Sequence, residues 1–348
     1  MRSKYWDGWK GICTIAVITG HSFPLIEKIP VGSIYWSLQV LLFQINLFPV
    51  FLFFTFAGYF SLPHSTSKQV EDVAGYYKHR LGRILPPYLL WTAVYILLEH
   101  RGHLFSVRDL FKDVLLGTGI YIGYFVIVLV QFILITPILA HLNSRRMHIV
   151  LMLVLFACSL MLIYILRVGY SQNWMAKYPY VSLPCLLWYP FYHLGLFLAK
   201  YDVIGSDVLR RFSSRFLGLY FFFLVASMAE GYFFTRSGYA LGMSQLKATS
   251  LLAGLFLVLF LFSSYRRDFD QIFQKDWIQF LGHHSYVIYL THLLFLPRIQ
   301  SILYKIPFFE ANRLLNVLPS SVFTLVLCVI LIRLIQKILP NSNGLLGV

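Results

Sequence analysis

Lys10 and His21 stand eleven residues apart within one apolar stretch. At 3.6 residues per turn, eleven positions make about three turns, so one helix would carry both side chains on one face, roughly 16 Å apart. An ionisable side chain inside a hydrophobic span is costly to keep there and marks a functional site by default. The pair therefore suggests a site that holds an anionic ligand at its basic end and does proton chemistry at the imidazole. A lysine snorkelling to the interface, with a histidine hydrogen-bonded inside a helix bundle, accounts for the same pattern.

Three other groups have types and spacing that could do chemistry. In Tyr76-Tyr77-Lys78-His79-Arg80-Leu81-Gly82-Arg83-Ile84-Leu85-Pro86-Pro87-Tyr88, Arg80 and Arg83 are three apart and adjacent on a helix face. Two guanidiniums so placed suit phosphate oxygens, although an ordinary basic cluster on the cytoplasmic side explains them on charge alone. The Pro86-Pro87 pair is expected to break or re-aim that helix. Ser285, Tyr289 and His292 recur at spacings of four and three and form one polar stripe on an apolar helix. An interfacial belt of aromatic and histidine residues would look alike. Glu230, in Ala229-Glu230-Gly231, is an isolated carboxylate in an apolar segment. It is placed either to orient His21 or to pair with a local arginine or tyrosine.

What must position these residues is a membrane-embedded bundle. The 348 residues are 58% hydrophobic, 12% charged and 18% aromatic, with mean hydropathy +0.70, which lies outside the range of soluble domains. Apolar windows at 9–27, 36–60, 84–98, 119–141, 149–167, 182–200, 216–236, 246–265, 277–297 and 317–339 predict about ten transmembrane helices. The expected fold is an all-α polytopic membrane protein, one domain over residues 1–348 with no separate soluble domain. Ten spans put both termini on one side. If that side is the cytoplasm, 18 of the 29 basic residues fall inside, the bias that membrane proteins show. The net charge of +15 then has a topological cause, and no nucleic-acid partner is expected. Cys13, Cys158, Cys185 and Cys328 lie in apolar segments without a CxxC pair and read as small buried hydrophobes. No small-residue cleavage site follows the first span, which is expected to stay in the mature chain. In this orientation Arg80 and Arg83 lie at the cytoplasmic start of the third span, with His21, Glu230 and His292 toward the outer side.

Taken together, the motifs resemble the acyltransferase-3 family of bacterial integral-membrane O-acyltransferases. The resemblance rests on Lys10-x10-His21 in the first span and on Phe53-Phe54-Thr55-Phe56-Ala57-Gly58-Tyr59-Phe60 closing the second. It continues through Arg80-x-x-Arg83-x-x-Pro86, Gly123 to Phe132 with Pro137, and Ser285-Tyr286-x-x-Tyr289-x-x-His292 in the ninth. Lys10 stands where arginine is commoner, and Thr55-Phe56-Ala57 replaces a region around serine. Length and fourth span are also similar to the branch that acts on poly-N-acetylglucosamine adhesin.

The resemblance implies transfer of an acyl group, acetyl or succinyl, from cytoplasmic acetyl-CoA or succinyl-CoA to a glycan hydroxyl. The donor would be a substrate, with no permanently bound cofactor and no metal. The acceptor would be a cell-surface polysaccharide or lipid-linked oligosaccharide, in the bacterial cytoplasmic membrane, with a polysaccharide synthase complex as a further partner. Lys10, Arg80 and Arg83 would hold the coenzyme's phosphates. His21 would act as general base or as an acylated nucleophile, with Glu230 orienting it. Tyr289 and His292 would meet the acceptor sugar or the oxyanion.

Ten spans, broken helices and polar residues at midplane would also suit a transporter of a glycan or lipid-linked sugar. No paired, similarly interrupted halves mark the internal repeat such a protein often has. A scaffold for a synthase would leave the Lys10–His21 alignment and the Arg80–Arg83 pair without a purpose. Of the remaining polar residues in spans, Gln39, Gln44, Asn46, Gln131 and His193 are expected to make helix–helix hydrogen bonds. The loop from His100 to Lys112 is a candidate contact for the acceptor.

Overall fold

The computed structural model describes residues 3–62, 70–99, 106–165, 180–204, 206–239, 242–265, 273, 275–340 and 342–347. Among the described residues there are helices and turns and no strand, as the apolar windows require. The first five helices are α1 (Lys4–Ser22), α2 (Ile34–Ile45), α3 (Pro49–Tyr59), α4 (Val73–Glu99) and α5 (Val107–Leu115). Then come α6 (Tyr124–His141), α7 (Arg145–Tyr164), α8 (Tyr189–Lys200), α9 (Asp207–Arg211) and α10 (Ser213–Arg236). The last six are α11 (Ala248–Ser263), α12 (Asp276–His283), α13 (Ser285–Leu303), α14 (Pro307–Ala311), α15 (Val317–Ile338) and α16 (Asn343–Leu346). The last two residues of the fifth expected span, 166–167, and residues 100–105 of the expected acceptor loop lie outside the described residues.

Seven helical segments among the described residues are long and apolar enough to cross a membrane. They are Ile34–Tyr59, Val73–Leu98, Tyr124–His141, Arg145–Tyr164, Ser213–Arg236, Ser285–Leu303 and Arg313–Ile338. The remaining three expected positions hold α1, with Lys4, Asp7 and Lys10 in its first half, the short α8, and the apolar sixteen-residue α11. The protein is thus an all-α polytopic membrane protein.

Local chemistry explains where the helices start and stop. Ser33 caps α2 by accepting from the Trp36 amide at 3.1 Å, and Ser144 caps α7 by accepting from Met147 at 3.3 Å. The second expected span is two helices, because the chain turns at Asn46 and restarts with Pro49 at the first turn of α3. The ninth is likewise divided at His284, whose Nδ1 turns back on Phe280 O at 2.9 Å. Of the two outcomes expected at Pro86-Pro87, a break does not occur; α4 runs through both for 27 residues. Tyr286 of α13 donates to Ile84 O at 2.8 Å, next to the Gly82 and Arg83 carbonyls that the prolines leave without intrahelical donors.

The centre of the bundle is α8, buried from Tyr189 through Leu198. It packs on α3 backbone to backbone. A Cβ on Gly58 would lie 1.9 Å from Tyr192 O, and one on Gly195 would lie 2.0 Å from Thr55 O. Only glycine allows that approach. The periphery is apolar and outward-facing, for example Phe221, Phe222, Val225 and Phe233 on α10 and Leu318, Phe323 and Ile330 on α15. Cys13 and Cys328 are buried as expected, whereas Cys185 is half-buried and Cys158 is exposed on α7, where a small sulfur residue suits lipid as well as core.

Candidate active site

Helix α1 carries Lys10 and His21 in one unbroken run, so the three-turn spacing holds. Between them on the same face stand Thr14 and Val17. These two residues, with Ile18, form one wall of a narrow cleft completed by Phe53 of α3 and by Ser285, Ile288, Tyr289 and His292 of α13. All three members of the α13 polar stripe therefore line one space, opposite the α1 face that joins Lys10 to His21. Thr14 is turned back on its own helix, donating to Lys10 O at 2.8 Å.

At the far end of that face the half-buried His21 ring meets His292, with centroids 5.3 Å apart and planes tilted by 43°. The end of α1 is held there by α13 and α15: Gln300 Nε2 donates to Ser22 O at 2.8 Å, and Ser321 Oγ donates to Ser22 Oγ at 3.0 Å. His292 is fully buried. Its Nδ1 lies 2.8 Å from Tyr289 O and 3.2 Å from Ile288 O. The Tyr289 hydroxyl donates to Ile122 O, so this side chain presents its ring to the cleft.

The opposite end is basic. Lys10 Nζ lies 3.4 Å from Asp7 Oδ1 and 4.7 Å from the centre of the Phe60 ring. Arg80 reaches the same residue from α4: its Nη2 donates to Phe60 O and, at 2.9 Å, to Ser61 O. Lys10 and Arg80 thus converge on the C-terminus of α3, where the helix carbonyls favour positive charge. Arg83, one turn further along α4, is exposed.

Glu230 is placed elsewhere. Its carboxylate accepts from the Tyr164 hydroxyl, from Thr249 Oγ1 and, at 3.3 Å, from the Thr249 amide. This joins α7, α10 and α11 and makes no contact with His21; the tyrosine pairing is the one realised. Among the other polar residues, Gln44 donates to Gly242 O at 3.0 Å and Gln131 to Leu183 O at 2.9 Å. Gln39 instead ties Pro24 O at 2.6 Å, and Asn46 turns back to Leu42 O at 3.2 Å.

Three groups escaped the sequence reading. Asp7 is buried beside Lys10, and its three-residue offset was a legible signal. Lys247 is fully buried and donates to Gln44 Oε1 at 2.8 Å and Ser244 O at 2.5 Å; its place at the edge of a span disguised it. His148 of α7 bonds His193 of α8, with Nδ1 2.6 Å from the partner's Nε2. His148 lies in the first turn of its span and nothing local marks the pairing.

A family model described as "Acyltransferase domain", acyltransferase-3, matches residues 3–333. No curated protein and no solved structure gave a match. The chain belongs to the acyltransferase-3 family, and it is a membrane acyltransferase.

Proposed function

We propose that this acyltransferase moves an acyl group, acetyl or succinyl, from cytoplasmic acyl-CoA to a hydroxyl of a cell-surface or lipid-linked polysaccharide, beside a polysaccharide synthase in the bacterial cytoplasmic membrane. The observation that carries the reading is the α1 face. It joins a basic end, where Lys10 and Arg80 meet around Phe60, to an imidazole end, where His21 meets His292, with the cleft between. Acyl-CoA has the matching form. Its phosphates lie at one end, and its thioester sits at the tip of a long thin arm. The arm suits a narrow cleft walled by Val17, Ile18, Phe53 and Ile288, with Thr14 and Ser285 as its polar points.

In this arrangement neutral His21 takes the proton of the acceptor hydroxyl as its oxygen attacks the thioester carbonyl. The tetrahedral intermediate collapses by breaking the C–S bond. The proton passes from the imidazolium to the departing thiolate, so the site ends as it began and the products are an ester and free coenzyme A. The test is thiol release by purified protein in nanodiscs, given acetyl-CoA or succinyl-CoA with and without a glycan extract. We expect His21→Ala to lose about 10²- to 10⁴-fold in rate while unfolding at the temperature of the parent. Undiminished release by that variant would refute His21 as the base. Absence of release from both donors with glycan present would refute acyl-CoA as the donor.

A further inference from the structure

A working general base needs a group that holds its second nitrogen, so that the lone pair of the first points at the substrate. His21 makes no hydrogen bond to the described residues, and the carboxylate of Glu230 is engaged by Tyr164 and Thr249. His292 is in ring contact instead. Both neighbours of its Nδ1 are backbone carbonyls, which only accept. Nδ1 therefore carries the proton, and the lone pair of neutral His292 resides on Nε2. That Nε2 is buried with no hydrogen-bond partner, and an unmatched buried acceptor is costly to keep.

The molecule supplies its own measure of the remaining gap. The hydrogen-bonded rings of His148 and His193 have centroids 5.0 Å apart for an N···N distance of 2.6 Å. The His21–His292 centroids, at 5.3 Å, are 5.3 − 5.0 = 0.3 Å further apart. The two rings thus stand at nearly the spacing of a hydrogen-bonded histidine pair, with Nε2 of His292 still unmatched.

We infer that His292 is the positioning residue of the acyl-transfer site: its Nε2 accepts the N–H of His21, fixing that ring's tautomer and aiming its other nitrogen at the acceptor hydroxyl. The inference rests on the reading of His21 as the base. The chain of donors runs from His21 N–H to His292 Nε2, and from His292 Nδ1–H to the Tyr289 and Ile288 carbonyls. A neutral imidazole, anchored to its own helix, thus fills the place that a carboxylate fills in a hydrolase triad. When His21 takes the hydroxyl proton, the positive charge formed faces the lone pair of His292. No proton needs to leave the pair before the thiolate reclaims it.

The experiment compares His292→Leu with His292→Gln in nanodiscs, using acetyl-CoA as donor. Leucine offers no acceptor, and we expect kcat to fall about 10²-fold or more. The KM for acetyl-CoA should hold, since the phosphates are gripped three turns away. Glutamine keeps an acceptor oxygen and should restore kcat to within roughly tenfold of the parent. Equal losses in both variants, or a change confined to KM, would overturn the inference. A second readout does not depend on turnover. In ¹⁵N spectra of histidine-labelled protein, the unprotonated Nε2 signal of His292 should move when His21→Phe removes its donor, and a signal that stays in place would overturn the inference as well. The outcomes separate from those of the base assignment: a dead His21→Ala beside an undiminished His292→Leu refutes the positioning role alone.

Discussion

Arg80 is where the demands of folding and of ligand binding can be told apart by number. A guanidinium has five N–H donors. In the structure Nη2 gives both of its own to the carbonyls just past the end of α3, Phe60 O and Ser61 O, which leaves three for a phosphate. A hydrogen bond to a charged group contributes about 1.5–3 kcal/mol. Arg80 is half-buried, and solvent weakens exposed charges, so the two bonds together are taken at about 2.5 kcal/mol. Arg80→Ala should lower the unfolding midpoint by about 5 °C, at roughly 2 °C per kcal/mol for a chain this large. Arg80→Lys keeps the charge but not the fork; it should lose about half as much stability. The assay is thermal unfolding read by tryptophan fluorescence, because Trp36 and Trp188 are buried in the fold and change surroundings when it opens. An unfolding midpoint for Arg80→Ala equal to that of the parent would show that the carbonyl contacts do not hold α3, and the argument for a double role would fall.

Three other outcomes follow from the geometry. Arg83→Ala, at an exposed position, should raise the KM for acyl-CoA about tenfold with no change in unfolding; an unchanged KM would reduce Arg83 to setting topology. Glu230→Gln should leave kcat within about twofold while costing roughly 1 kcal/mol at the Tyr164–Thr249 cluster; a collapse in turnover with intact folding would return Glu230 to the reacting centre. Gly195→Ala, whose new Cβ would sit 2.0 Å from Thr55 O, should destabilise by at least about 3 kcal/mol. Gly218→Ala, with nothing within 4 Å, should be neutral or stabilise by up to ~1 kcal/mol, and equal effects in the two would refute the close packing of α3 on α8.

What could be read from the sequence was what depends on a single helix. The face from Lys10 to His21 and the stripe of Ser285, Tyr289 and His292 are consequences of the helical period. Both appear in the structure, and they face one cleft. What depends on how two distant helices meet was not legible. Glu230 and His292 are both ionisable groups toward the outer ends of spans, and hydropathy gives each the same standing. Only packing reveals that Tyr164 takes one and that the other lies against His21. The breaks at Asn46–Pro49 and His284 also passed unseen, since apolar windows average over a residue or two of altered backbone. The continuity of α4 through Pro86-Pro87 was not legible either; the contact made there, from Tyr286 to Ile84 O, comes from some two hundred positions later.

The glycine contact between α3 and α8 has a mechanical consequence. With no side chains between the two backbones, there is nothing to repack, and the pair must move as one stiff strut through the middle of the bundle. Phe53 rides on that strut, so the wall it gives to the cleft is a fixed one. Any widening of the cleft must then come from its other two walls. The yielding falls to α1 or α13, and α13 begins immediately after the break at His284. Its first residue, Ser285, already belongs to the cleft. A lean of α13 about that break would move Ser285 and His292 together and leave Phe53 in place.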